Sequence, residues 1–208
     1  MSEPTALGLS TRDEAWALLR EYTTRPGLIA HALAVEAALR AYARRLGGDE
    51  DAWGLVGLLH DFDYERWPTP QDHPFRGVEI LAGRGYPAWF RRAILSHASY
   101  SGVPRESPLE HALFGCDELC GFLVACALVA QDRSLASVRV ESVRKKLKSK
   151  GFAASVSRDD ITNGAAALGV DLDEHVGFVL DALRAVAREL GLAPKEPGAE
   201  PGGAETLV

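Results

Sequence analysis

Apolar residues recur along this chain three or four positions apart, the spacing of amphipathic helices, and no segment makes a convincing strand. Ser10-Thr11-Arg12-Asp13-Glu14 sets a hydroxyl cap three residues before an acid and predicts a first helix to about Tyr22, broken by Arg25-Pro26-Gly27. A second helix follows from about Leu28 to Leu46 and stops at Gly47-Gly48. Its stripe reads Val35, Ala38, Tyr42, Leu46, and extended backwards it lands on His31. Asp49-Glu50-Asp51 starts a third, whose apolar run Leu55-Val56-Gly57-Leu58-Leu59 ends directly in His60-Asp61.

Asp72-His73-Pro74 starts a fourth helix, with Asp72 as its cap and proline in its first turn, stopped by Gly83 and Gly85. Pro87-Ala88-Trp89-Phe90 starts a fifth, in which Phe90, Ile94 and His97 share a face. Ser107-Pro108-Leu109-Glu110 is a capping box opening a sixth, with Leu113, Asp117, Cys120 and Val124 along one side. Val140, Val143 and Leu147 back a further helix, Ser157 caps another, and Asp173 begins the last long one, ending near Gly191. His111 and His175 read as surface residues. From Pro194 the chain is rich in Pro, Gly and Glu and reads as a disordered tail.

Composition narrows the class. A hydrophobic content of 47% with 25% charged residues is that of a soluble globular protein, and 208 residues can bury a sizeable core. Twenty-three basic against 29 acidic side chains leave a net charge of -6, so there is no general basic field for nucleic acid. The N-terminus meets Glu3, Asp13 and Glu14 early, unlike a secretory signal. The longest uncharged apolar run, Leu119 to Ala130, is too short to cross a bilayer and reads as a buried helix. A cytoplasmic protein is expected. Cys116, Cys120 and Cys126 fall in that same helix, an odd number in a buried setting, which argues against a disulfide framework. Cys116 and Cys120, one turn apart, could share a soft metal, but free cysteine is mostly a small core residue.

The chemistry gathers on histidine and aspartate. Burying His60 and Asp61 behind an aliphatic run costs on the order of several kcal/mol unless something compensates, and a divalent cation does so. Adjacent helical residues point about 100° apart, so the pair can flank one ion while the carboxylate reaches a second. A His–Asp hydrogen bond without metal fits the doublet equally well. His31 and His97 lie on apolar faces, where a core histidine bonded to a carbonyl is the alternative to a ligand. His73 stands at the positive end of its helix dipole, which favours the neutral imidazole that metals bind, with surface capping as the alternative. Asp117 is a carboxylate on an apolar face, and Glu118 beside it points elsewhere. The loop after the doublet offers Asp63 and Arg66 as substrate contacts, or simply an exposed turn. The run from Arg144 to Lys150 is either a solvated helix face or a lobe that steers an anionic substrate.

In the order His31, His60-Asp61, His73, His97, Asp117, the chain resembles the HD superfamily of metal-dependent phosphohydrolases over roughly residues 28–130. Beyond that core it is similar to a bacterial group of predicted HD hydrolases. The resemblance implies an all-α helical bundle around a buried metal site, with additional C-terminal helices. It places the metal-binding core at about 28–130, and with the chain length and the tail composition the expectation is one domain over 1–192 and a disordered tail over 193–208. It further implies His31, His60, Asp61 and Asp117 as ligands of a first ion. His73 and His97 would join a second, with Asp61 bridging the two and serving catalysis. The segment His73-Pro74-Phe75-Arg76-Gly77 and the segment Leu95-Ser96-His97 fall where two-metal members carry their extra histidines. Ala98-Ser99 then follow, where those members often have a histidine or an acid.

Nitrogen and oxygen donors without sulfur suit one or two divalent ions, Mn, Fe, Co, Ni or Mg, rather than structural zinc. The reaction expected is hydrolysis of a small phosphorylated substrate, a phosphate ester or nucleotide, by a metal-activated water. No membrane is expected as a partner, and the oligomeric state stays open. Two other readings share these residues. A di-iron oxygenase uses the same ligand order, and a regulatory HD-like module would generally lack several of the six.

Overall fold

A computed structural model describes residues 8–194; most of the segment expected to be a disordered tail, 195–208, lies outside the described residues. Within them the chain folds into nine α-helices with no strand: α1 Arg12–Tyr22, α2 Pro26–Leu46, α3 Glu50–Leu59, α4 Phe75–Gly83, α5 Ala88–His97, α6 Pro108–Leu128, α7 Val140–Leu147, α8 Arg158–Ala167 and α9 Leu172–Ala185.

Local chemistry sets the helix starts. The capping boxes are both made, Thr11 with Glu14 at α1 and Ser107 with Glu110 at α6, and Asp49, Ser157 and Asp171 accept from the first turns of α3, α8 and α9. Each satisfies amide donors that the helix itself leaves orphaned.

Packing then sets where the helices meet. α2 and α3 run antiparallel in close contact, because Gly48 faces Trp53, Gly54 faces Arg40, and Gly57 faces Val35 and Glu36. A Cβ at Gly57 would stand 2.8 Å from the Val35 carbonyl oxygen and 2.9 Å from the Glu36 Cα, both immovable backbone. Glycine here is what lets the two helices touch. Behind this contact Leu55, Val56, Leu58 and Leu59 are all but fully buried, each contributing about 1.5–3 kcal/mol. Glu36, buried in the same layer, is gripped by Arg12 through two hydrogen bonds of 2.7 and 2.9 Å, and Arg40 adds a third of 3.1 Å.

α6 is the central helix, with α2, α5, α8 and α9 all packed on it. By length and composition it could cross a membrane, longer than the apolar run marked out in the sequence, yet more than half of its most apolar window is buried inside the protein.

The helical pattern reads correctly with local differences. α4 begins at Phe75, so Asp72 does not cap it and His73 precedes it, with Pro74 at the cap position. Asp72 instead accepts from the Thr69 hydroxyl in the preceding turn. α9 ends at Ala185, and residues to Gly191 continue as turns rather than helix. Leu46, the last residue of the α2 stripe, is 45% exposed because α2 outruns its partner helices there.

His175 is not a surface residue. It is fully buried between three helices, with its Nε2–H donating to the Gly115 carbonyl at 2.8 Å and its Nδ1 accepting from the Tyr42 hydroxyl at 2.6 Å. Both ring nitrogens are satisfied, which is how an imidazole is tolerated in an apolar interior.

Candidate metal centre

The α2–α3 contact at Gly57 determines what comes next to it. One turn further along α3 lies His60, and one turn back along the antiparallel α2 lies His31, so the two imidazoles meet with their Nε2 atoms 3.2 Å apart. α6 packs across the same end and delivers the Asp117 carboxylate to within 3.0 Å of His31 Nε2 and 3.5 Å of His60 Nε2. Asp61, the residue after the α3 cap, turns its Oδ2 to this group, 3.5 Å from His60 Nε2 and 3.9 Å from His31 Nε2.

The other oxygen of Asp61 serves a second group. Its Oδ1 lies 3.2 Å from His73 Nε2 and 3.3 Å from His97 Nε2. His31, His60, Asp61 and Asp117 thus form one cluster able to hold a metal, and Asp61, His73 and His97 form another, joined by the Asp61 carboxylate. All six residues singled out in the sequence converge here.

Hydrogen bonding fixes which nitrogens face inward. His60 Nδ1 lies 2.8 Å from the Gly57 carbonyl and His97 Nδ1 lies 2.5 Å from the Ile94 carbonyl. A carbonyl only accepts, so each Nδ1 carries a proton and each ring turns its Nε2 into the site. His73 Nδ1 likewise donates to Asp63 Oδ1 at 2.8 Å. The Nε2 atoms of His73 and His97 then stand 3.3 Å apart, both within reach of Asp61 Oδ1. Bare lone pairs this close would repel, so the group calls for a shared cation, a proton or a metal ion.

The electrostatics carry the same demand. Burial opposes a charge on His60, but Asp61 and Asp117 outweigh it and hold the imidazole well above the usual histidine range. Burial opposes a charge on His73 too, yet the bonded carboxylates of Asp61 and Asp63 carry it up to about 9. Burial works against ionised Asp61 and Asp117, but His60 and the other facing imidazoles drive both well below the ordinary carboxylate range. The side chains are tuned to share cations, whether protons or a metal.

Asp63 and Arg66, the loop residues expected to contact substrate, do not line the cavity over the centre. Asp63 is fully buried, with Oδ1 accepting from His73 Nδ1–H and Oδ2 accepting from the Gly77 amide at 2.8 Å. Arg66 lies outside the centre, its guanidinium donating to the Glu21 carbonyl and lying over the Tyr22 ring. The pairing of Asp63 with His73 depends on how the loop of residues 60–74 folds back on itself, for which periodicity holds no signal.

Above the two clusters opens a cavity of about 420 Å³, a volume suited to a small molecule. Its far side was not marked out by sequence patterning. Tyr64, Tyr100 and Phe114 supply aromatic walls, while Ser155, Val156 and Asp160 come from the segment entering α8. Glu118 also lines it, accepting from the Ser157 amide at 3.1 Å, and burial together with neighbouring Asp117 pushes its carboxyl up to about 7. Burial, then Asp61 and Asp63, raise the Tyr100 phenol to about 12.

Among the described residues no lysine or arginine lines the cavity, so the basic run from Arg144 to Lys150 does not reach it. Arg144 pairs with Asp173 at 3.0 Å, and Lys146 donates to Ser142. The cysteines belong to neither cluster: they are buried and unlinked, and burial raises the Cys116 and Cys120 thiols far above their usual range.

Residues 28–120 match the family model of the HD domain. The match contains His31, the His60-Asp61 doublet, His73, His97 and Asp117, while α7, α8 and α9 lie beyond it. No curated protein and no solved structure matches the chain.

Proposed function

We propose that this chain, which carries an HD domain over residues 28–120, is a metal-dependent phosphohydrolase acting on a small phosphate ester or nucleotide. The observation that carries the reading is the convergence of the six side chains into two clusters joined by the Asp61 carboxylate, with the Nε2 atoms of His73 and His97 3.3 Å apart beside its Oδ1. Buried donors of this kind, without sulfur, fit Mn, Fe, Co, Ni or Mg. His31, His60, Asp61 and Asp117 would hold one ion, and Asp61, His73 and His97 a second.

Divalent ions at such a centre supply Lewis-acid charge for a phosphoryl group and lower the pKa of water from about 15.7 towards 7. The chain's own residues do the rest. Asp61 offers one oxygen to each cluster and fixes their separation. The Gly57 and Ile94 carbonyls and the Asp63 carboxylate accept from the Nδ1–H of three imidazoles and so turn their Nε2 atoms towards the clusters. Tyr64 and Tyr100 line the cavity, and their hydroxyls make no hydrogen bond among the described residues, so both are available to a polar substrate. With no lysine or arginine lining it, a bound phosphate would owe its charge compensation to the cations below.

The convergence of all six side chains supports an enzyme over a regulatory module with a vestigial site. Hydrolysis is tested by reconstituting metal-free protein with Mn, Co, Ni or Fe and screening phosphate monoesters, diesters and nucleotides. Release of phosphate or alcohol supports the reading, and no turnover with any of these metals counts against it. Substrate-dependent oxygen uptake by iron-grown protein would place the chemistry with the oxygenases that share this ligand order.

A further inference from the structure

We propose that Asp63 is a positioning residue for the second cluster: seated on Gly77, its carboxylate holds His73 aimed at Asp61 and so decides whether a second ion stays bound. The inference rests on the two clusters taking cations as proposed above, and it concerns residues that are not themselves ligands.

The geometry is a locked carboxylate. Asp63 is fully buried, and each of its oxygens has one strong donor, His73 Nδ1–H at 2.8 Å and the Gly77 amide at 2.8 Å. The amide comes from the first turn of α4, so the helix that follows His73 holds the group that orients His73. Nothing could stand between them. A Cβ built on Gly77 would lie 2.8 Å from the Asp63 carboxyl carbon and 3.0 Å from each oxygen. The glycine of His73-Pro74-Phe75-Arg76-Gly77 is therefore the seat of the Asp63 carboxylate.

His73 needs this support more than its partners do. His60 and His97 are each held by a backbone carbonyl three residues earlier, a contact their own helices guarantee. His73 precedes α4 and has no such carbonyl. Its orientation depends on a side chain ten residues away in sequence, Asp63. A carboxylate behind a ligating imidazole fixes its tautomer and raises its basicity, and removing such partners costs about 10–100-fold in metal affinity.

Asp63→Asn is nearly isosteric and isolates the effect. The amide has one acceptor oxygen, whereas His73 Nδ1–H and the Gly77 amide are two donors, so one of them loses its partner. Gly77→Ala drives a methyl against the same carboxylate from the other side while leaving the His73 and Asp63 side chains themselves unaltered.

The experiment counts ions. Metal-free wild type, Asp63→Asn and Gly77→Ala are titrated with Mn or Co in the absence of substrate, and bound metal per chain is measured with competing chelator. The expected result is two ions in the wild type, with the weaker one losing about 10–100-fold in affinity in both variants while the tighter one is kept. Thermal melting of the metal-free proteins runs alongside, and if Gly77→Ala does not fold, Asp63→Asn decides. Two ions held as tightly in Asp63→Asn as in the wild type overturn the proposal. So does loss of both ions together, the mark of a merely structural residue, and so does a wild type that takes one ion. A wild type that binds no metal overturns the metal-dependent reading itself and this inference with it.

Discussion

Gly115 of α6 and Gly164 of α8 touch backbone to backbone: a Cβ built on Gly164 would stand 2.5 Å from the Gly115 Cα. This contact fastens a helix beyond the HD match to the helix that carries Asp117, and it sets how Asp160 reaches the cavity wall.

Gly164→Ala is expected to destabilise the protein. Neither backbone can yield by the needed distance without separating the helices, and overpacking of this kind costs about 1–3 kcal/mol, more than the gain in helix propensity. Denaturant unfolding of the variant checks it. An unchanged midpoint would mean that α8 does not sit where Gly115 receives it.

Cation binding should raise stability. Mn or Co at a hundredfold excess over its dissociation constant stabilises the folded chain by about 2.7 kcal/mol, because the converging ligands exist only when folded. Melting temperature should therefore rise on adding metal and fall with chelator. In Asp117→Asn the shift should shrink, and turnover should drop by more than the roughly 100-fold seen on losing a supporting partner. A variant that keeps the full metal-induced shift would remove Asp117 from the ligand set.

His175 predicts an acid sensitivity of opposite origin to the metal centre. Burial, reinforced by Arg45 and opposed by the Gly115 carbonyl, lowers its pKa. In the unfolded chain it titrates near 6.5, so as pH falls the unfolded state takes up the proton first. Its contribution to stability is complete above about 6.5 and is lost as pH falls below that value towards the folded pKa. His175→Gln should cost about 1–3 kcal/mol at pH 7.5 through its broken hydrogen bonds. The gap between wild type and variant should narrow at pH 5, as read by urea titration of both proteins. A gap that widens at pH 5 would contradict the burial seen here.

The basic helix should be dispensable for chemistry. Replacing Lys145, Lys148 and Lys150 together by glutamate leaves the cavity lining untouched. Turnover is expected without the roughly tenfold or greater loss that electrostatic steering would bring. A loss of that size, with salt dependence abolished, would restore the cluster to a role in substrate capture.

The sequence by itself determined the helices, which are written in local regularities. It singled out the six side chains of the centre once the resemblance of their order to the HD superfamily was added to those regularities. Caps, glycine stops and apolar stripes mark α1 to α6 within a few residues, and the same stripes showed His31, His97 and Asp117 turned inward. Where periodicity lapsed, the sequence fell silent. Asp63 looked like a loop residue open to substrate, yet it lies buried behind His73. His175 looked exposed, yet Tyr42 and the Gly115 carbonyl enclose it. The far wall of the cavity, from Ser155 to Asp160, belongs to a segment more than thirty residues beyond Asp117. Only tertiary packing decided these. A hydrogen bond between distant residues depends on how helices cross, and the crossings are set by close contacts such as Gly57 on Val35 and Gly164 on Gly115, whose partners no local pattern names.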